Sequence, residues 1–218
     1  MPKFELVIFD CDGVLVDSER ISNQVFADML VELGYPATLD YMFEHFMGHS
    51  MRYCMGLAGN LLGRLPPADF VDQYRTRVKV AFQNALQPVH GVEAALDHIK
   101  VPFCVASSGD HDKMRTTLGI TGLLPRFDGK LFSATEVARS KPWPDVFLHV
   151  ARMHGVAPKA CVVIEDSPTG VRAAVAAGMT VMGYAAMTPP ARLLGAGAHQ
   201  VFGSMTELGA LIDAGIAN

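Results

Sequence analysis

The sequence predicts an α/β protein, a parallel sheet core with an inserted helical module. Three observations carry that expectation. Short apolar runs of strand length recur between helix-like stretches, from Phe4–Phe9 near the start to Gln200–Phe202 near the end. Strands that alternate with helices build parallel sheets covered on both faces. The gap between the first and second runs is far longer than the dozen or so residues a crossover needs, and it holds helix-like sequence without a convincing strand. It predicts a cap at 17–89 inserted into a core made of 1–16 and 90–218.

The first strand is the apolar run from Phe4 to Phe9, ended by Asp10 and Gly13. Ser18 is suited to cap a helix running through Val25, Met29 and Leu33 to a stop at Gly34. Helical stretches follow near Tyr41–Phe46 and Met51–Leu62, then from Ala68 to Leu86 after the breakers Pro66 and Pro67. Strands resume at Pro102–Ala106, Lys130–Ser133, Ala160–Glu165 and Thr180–Tyr184, with helices such as Pro144–His154 and Thr169–Ala177 between them. A strand at Gln200–Phe202 and a helix at Met205–Ile212 close the pattern.

The chain has 218 residues, 50% hydrophobic and 18% charged, enough for one full core and a smaller module. A net charge of −4, with no run of lysines or arginines, argues against a nucleic-acid partner. No segment approaches the roughly 20 unbroken apolar residues that span a bilayer, and the first residues do not read as a signal peptide. The expectation is a cytoplasmic protein with no membrane partner, a monomer or small homo-oligomer. Cys11, Cys54, Cys104 and Cys161 lack CxxC spacing and read as core thiols. Cys11 lies between two acids, yet nothing near it in sequence marks a thiolate.

Chemistry concentrates where the first strand ends. Asp10 and Asp12 are two residues apart, so on an extended chain both point one way, about 6 to 7 Å apart at Cα. Two anions about 5 Å apart repel by roughly 3 kcal/mol at an effective dielectric near 20, so the pair needs a cation or a shared proton. Three later segments also put polar residues at strand ends or helix starts: Ser107, Ser108 and Gly109; Lys141 in SKPWPD; and Glu165, Asp166 and Ser167. Ligands of open α/β sheets bind at the carboxyl ends of strands, so these segments should converge on Asp10 and Asp12. A helix start after Gly109 would add backbone N–H groups for an anion. Oxygen ligands without histidine or cysteine favour Mg²⁺ over zinc, and an anion served by both Mg²⁺ and a lysine suggests a phosphoryl group. Taken singly each segment has a plainer reading: a turn, a helix cap, a solvated lysine, or acids favouring a helix dipole.

The four segments DCDGVLVDS, ASSG, SKPWPD and EDS, in that order, resemble the signature motifs of haloacid dehalogenase superfamily phosphatases. The resemblance spans the whole chain and points to the branch holding β-phosphoglucomutase and many sugar-phosphate phosphatases. It implies a mobile helical cap on a Rossmann-like core, with Asp10 as nucleophile and Asp12 as general acid and base. It further implies that Ser107, with the N–H groups of Ser108 and Gly109, binds the phosphoryl oxygens while Lys141 neutralises charge. Mg²⁺ would be held by Asp10, the Asp12 carbonyl oxygen and Asp166, with Glu165 nearby. His49 and Arg52 fall where family members place a substrate-contacting loop of the cap. His45 and His49 also share i,i+4 spacing, but Gly48 between them and the lack of a third ligand argue against a metal there. The substrate implied is a small phosphorylated metabolite, a sugar or sugar-acid phosphate. Within the family, dehalogenases do not need the second acid, so Asp12 argues for phosphoryl chemistry. The main rival is a phosphomutase, whose cap carries a histidine where this chain has Ser22. A phospho-accepting receiver module is a second rival, but it is about half this length and has no insertion.

Overall fold

The computed structural model describes residues 4–47 and 51–215. In chain order its elements are β1 (Leu6–Phe9), α1 (Ser18–Glu32), α2 (Leu39–His45), α3 (Met51–Leu62), α4 (Phe70–Ala85) and α5 (Val92–His98), then β2 (Phe103–Ser107), α6 (His111–Ile120) and β3 (Leu131–Ser133). They continue with α7 (Asp145–His154), β4 (Cys161–Glu165), α8 (Pro168–Ala176), β5 (Thr180–Tyr184), α9 (Pro190–Gly195), β6 (Gln200–Phe202) and α10 (Leu208–Ala214). Short 3₁₀ turns lie between several of them, including Met205–Glu207, so the last helix begins three residues later than the apolar pattern suggests.

The chain divides into two compact units, one of residues 1–16 and 88–218, the other of 17–87. Pro88 and Val89 therefore group with the first unit, not with the expected cap span. The reason is backbone pairing: the Val89 N–H donates to the Leu15 carbonyl at 2.9 Å, and Pro88 forms a bridge with Val16.

In the first unit six strands form one parallel sheet in the order β3-β2-β1-β4-β5-β6. The four residues of β1 and the five of β4 are all buried, which is why β1 and the first four residues of β4 read as unbroken apolar runs rather than alternating ones. Phe9, Phe103 and Phe127 meet edge to face, with centroids 5.3 to 6.4 Å apart. Leu6, Ile8 and Val163 pack with Val146, Phe147 and Val150 of α7 and with Val171 and Ala174 of α8. Each such fully buried side chain contributes about 1.5–3 kcal/mol relative to exposure. Strand order reverses at β1, whose neighbours are β2 on one side and β4 on the other. A crevice outside the carboxyl ends of β1 and β4 is the point where this topology leaves room for a ligand.

The second unit is built of α1 to α4 around Phe26, whose ring lies 5.2 Å from Phe46, 5.2 Å from Phe70 and 5.3 Å from Tyr74. Ser18 does not cap α1. It is a buried first-turn residue, and the cap position belongs to Asp17, whose side chain makes no capping bond. No helix among the described residues is long and apolar enough to cross a membrane.

Candidate active site

Register explains how the acids meet. Phe9 pairs with Val105 on one side and Ile164 on the other, so the next residues along, Asp10, Ala106 and Glu165, stand level at the strand ends. The Asp10 N–H donates to the Ile164 carbonyl at 3.0 Å, which extends the ladder by one residue and fixes the Asp10 backbone. The chain then folds back: Leu15 and Val16 donate to the Cys11 carbonyl at 3.0 and 3.2 Å, and Gly13 donates to the Val16 carbonyl at 2.9 Å. This turn carries Asp12.

Lys141 is the hub. Its Nζ, with the side chain only 3% exposed, donates to Asp10 Oδ1 at 2.6 Å, Glu165 Oε1 at 2.7 Å and the Ala106 carbonyl at 3.0 Å. All three ammonium protons are thereby used. Burial pulls the Lys141 pKa down, but Asp10 and Glu165 outweigh it and hold the ammonium above its ordinary pKa. Burial pushes the Asp10 carboxyl up to about 7, Lys141 opposing the rise and Glu165 adding to it. Glu165 is committed on both oxygens, since its Oε2 accepts from the Ser167 N–H at 3.1 Å and the Ser167 hydroxyl at 2.9 Å.

Asp10, Glu165 and Asp166 are buried and can each turn a carboxylate oxygen to within 4.8 Å of the others. Three carboxylates beside one lysine leave an excess of negative charge in a desolvated place, which a hard divalent cation fits. Two glycines make room for two of these acids. Gly13 has φ +76°, and a Cβ there would fall 2.0 Å from Asp166 Oδ2; a Cβ on Gly170 would fall 1.7 Å from Glu165 Oε1. Gly13→Ala therefore meets both left-handed strain and a displaced Asp166. We expect it to cost about 2–4 kcal/mol, read from thermal melts, and to weaken divalent-ion binding measured by calorimetry.

Of the residues singled out in the sequence, Asp10, Asp12, Ser107, Gly109, Lys141, Glu165 and Asp166 gather at this end of the sheet. Asp12 enters by its side chain elsewhere than the acid cluster: its Oδ2 accepts from Lys113 Nζ at 2.7 Å. Lys113 is the residue that sequence reading missed, and its place three residues after Asp110, in the first turn of α6, was the available signal. Ser107 is buried and Ser108 exposed. The Gly109 N–H donates to Ser107 Oγ at 3.0 Å, so it is already partnered. The expected open helix start after Gly109 is also corrected: α6 is capped by Asp110, whose Oδ1 accepts from the Lys113 N–H at 2.8 Å. An acid on the cap answers the helix dipole itself. Ser133, at the end of β3, ties the loop down by donating its hydroxyl to the Gly109 carbonyl at 2.7 Å.

Arg52 is an exposed residue of α3 in the other unit, and His49 lies outside the described residues. Cys11 is buried, and burial holds its thiol well above the ordinary range, which removes it as a nucleophile. All four cysteines are buried free thiols.

Sheet and site together define an α/β fold with carboxylates and a buried lysine gathered at its strand ends. The model of the haloacid dehalogenase-like hydrolases matches residues 4–178. The 6-phosphogluconate phosphatase of Escherichia coli is 33% identical over 187 residues, covering 85% of each chain. Among solved structures, a haloacid dehalogenase-like protein from Agrobacterium tumefaciens is 37% identical, with a TM-score of 0.90 over 97% of this chain and 98% of that one. A hydrolase of the same family from Deinococcus radiodurans, solved with bound phosphate and sodium, is 32% identical, with a TM-score of 0.86 over 100% of this chain and 99% of that one. The chain belongs to the haloacid dehalogenase-like hydrolases and is an enzyme of their phosphatase type.

Proposed function

We propose that this chain is an Mg²⁺-dependent phosphomonoester hydrolase of small phosphorylated sugars or sugar acids, acting through an aspartyl phosphate on Asp10. One observation carries the reading. A buried lysine is shared by Asp10 and Glu165, while a second acid, Asp12, stands two residues from Asp10 outside that clamp.

Lys141 holds Asp10 Oδ1, which leaves Oδ2 as the attacking atom. In the first step that oxygen bonds to phosphorus and the ester P–O bond breaks, with the leaving oxygen taking a proton from the Asp12 carboxyl. In the second, water oxygen bonds to phosphorus, the bond to Asp10 breaks and the water's proton passes to Asp12. Splitting the displacement in two makes each step easier, and a well-placed acid and base contributes about 10²- to 10⁴-fold. Ser107 and the backbone beside it would receive the phosphoryl oxygens, while Lys141 keeps Asp10 fixed and offsets its charge. A magnesium ion held by Asp10, Asp166 and the Asp12 carbonyl oxygen, with Glu165 alongside, would neutralise the phosphoryl oxygens as charge shifts onto them.

The substrate class is supported by the similarity to a phosphatase named for a phosphorylated sugar acid. Residues 17–87, read as a cap, with Arg52 and His49 as its candidate substrate contacts, would supply the selectivity. The test is a panel of sugar phosphates, sugar-acid phosphates, nucleotides and two-carbon acid phosphates, scored by kcat/KM with Mg²⁺ and again with EDTA. Turnover should favour the sugars and sugar acids, vanish with EDTA and return with Mg²⁺. No hydrolysis of any monoester, or hydrolysis indifferent to chelation, would refute the reading. Conversion of β-glucose 1-phosphate to glucose 6-phosphate in the presence of a bisphosphate, without phosphate release, would mark a phosphomutase instead.

A further inference from the structure

Lys113 has its backbone fixed at the start of α6. Its N–H donates to the Asp110 cap at 2.8 Å, and its carbonyl accepts from the Thr117 hydroxyl at 3.0 Å. Thr117, one turn further on, has its hydroxyl oxygen 3.9 Å from Cys11 Sγ. Residues four apart share a helix face, so α6 sets one edge, Lys113 and Thr117, against the loop of Asp10 to Asp12. Gly109 keeps the lane open, since a Cβ there would come within 3.3 Å of Lys113 Cδ and 3.4 Å of Ser107 Oγ. At the end of that lane Lys113 Nζ meets Asp12 Oδ2 at 2.7 Å, with the Asp12 side chain 17% exposed and that of Lys113 43%.

Ion pairs this close to the surface contribute little to stability. The worth of this one lies in which carboxylate it holds. We infer that Lys113 is a positioning residue that keeps the Asp12 carboxylate on the α6 side of the site while the aspartyl phosphate is hydrolysed. The inference rests on the function proposed above. In that half-reaction water oxygen bonds to phosphorus, the bond between phosphorus and Asp10 breaks and the water's proton goes to Asp12. Asp12 enters this step as an anion beside a second anion, the phosphoryl group, and the two repel. Lys141 cannot hold the Asp12 carboxylate as well, because its three protons are given to Asp10, Glu165 and the Ala106 carbonyl. Lys113 can, from the opposite side, and it also stops the freed carboxylate from swinging away from the water.

The experiment is Lys113→Met in the full chain, with p-nitrophenyl phosphate and Mg²⁺, by steady-state and stopped-flow assay. We expect kcat and KM to fall together, about 10- to 100-fold, with kcat/KM within about twofold, because kcat/KM reports only the steps up to phosphoenzyme formation. A burst of p-nitrophenol approaching one per enzyme, larger than in the wild type, should precede the slow phase, because formation of the phosphoenzyme is spared and its breakdown is not. Lys113→Arg should bring back most of the lost kcat. An unchanged kcat, a rise in KM with kcat kept, or a fall in kcat without a burst would each overturn the inference. Should the Met variant fail to fold, Lys113→Gln is held to the same criteria. Wild-type protein that hydrolyses no phosphomonoester would remove the proposed function itself. Wild-type turnover with an unaltered Lys113→Met would remove only the part given to Lys113.

Discussion

Asp10→Asn should abolish turnover while leaving a folded protein that, without metal, is more stable than the wild type at pH 8. The loss of activity follows from chemistry: an amide oxygen is a poor nucleophile and yields no acyl phosphate, so a fall of about 10⁴-fold or more is expected. Stability moves the other way because of where the carboxyl sits. Burial raises the Asp10 pKa from an ordinary 3.8 to about 7, so ionising it costs more in the fold than in the unfolded chain. A raised acid penalises the fold as pH climbs from the unfolded value through the folded one; near pH 4 and below the penalty is absent, and above pH 7 it is complete. Asparagine escapes it and can still accept from Lys141. The gain at pH 8 in EDTA is on the order of 2–4 kcal/mol, shrinking toward zero by about pH 4. Added Mg²⁺ should reverse the order, since it binds the folded wild type and the variant only weakly. Thermal melts of both proteins at pH 4, 6 and 8, with EDTA and with Mg²⁺, check every part. A variant less stable at pH 8 in EDTA would show that Asp10 is not a burdened acid, and retained Mg²⁺-dependent turnover would refute it as nucleophile.

Much of this site is legible in the sequence because it stands at strand ends. Strands buried on both faces announce themselves as runs such as Leu6–Phe9 and Cys161–Glu165, and the polar residues that stop each run fall at the carboxyl edge. Their convergence then follows from parallel register alone, as Phe9 paired with Val105 and Ile164 illustrates. What the sequence hides is whatever depends on side chains reaching across. Lys113 meets Asp12 from 101 residues away, and its place in the first turn of α6 is the one local hint of the meeting. Gly13 and Gly170 look like turn and helix residues, yet their missing side chains make room for Asp166 and Glu165. The start of α6 reads as an anion site in the sequence, whereas in the fold Asp110 occupies its cap. Ser18 failed as a cap for a related reason: local propensity favours serine there, but burial of the first turn took it into the fold. Both errors concern single turns, where one competing contact is enough to decide.

Lys141→Met should be the most destabilising single change in the site, because it removes the one cation that, among the described residues, sits between Asp10 and Glu165. Methionine fills about the same volume, so the effect reads out charge and not packing. Asp10 and Glu165 are left facing each other with no counter-charge, and breaking a buried pair from one side costs about 3–5 kcal/mol. The cost has a pH signature. At low pH the two carboxyls can share a proton, so the variant should approach wild-type stability near pH 5 and fall furthest behind at pH 8, the opposite trend to Asp10→Asn. Coupling the two changes sharpens the test. In Asp10→Asn/Lys141→Met one of the two stranded carboxylates is gone, and the pair should be less destabilised than the sum of its parts by about 1–3 kcal/mol. Lys141→Arg should not rescue the single variant, since a planar guanidinium does not fit a site that places three acceptors around one nitrogen, at 2.6, 2.7 and 3.0 Å. Turnover should fall at least about 10³-fold in both Met and Arg variants, because Asp10 loses the contact that fixes its orientation. Melts across pH for the single and double variants provide the cycle. Strict additivity, or a Lys141→Met protein as stable as the wild type at pH 8, would mean that the lysine does not carry the charge balance on which the site is built.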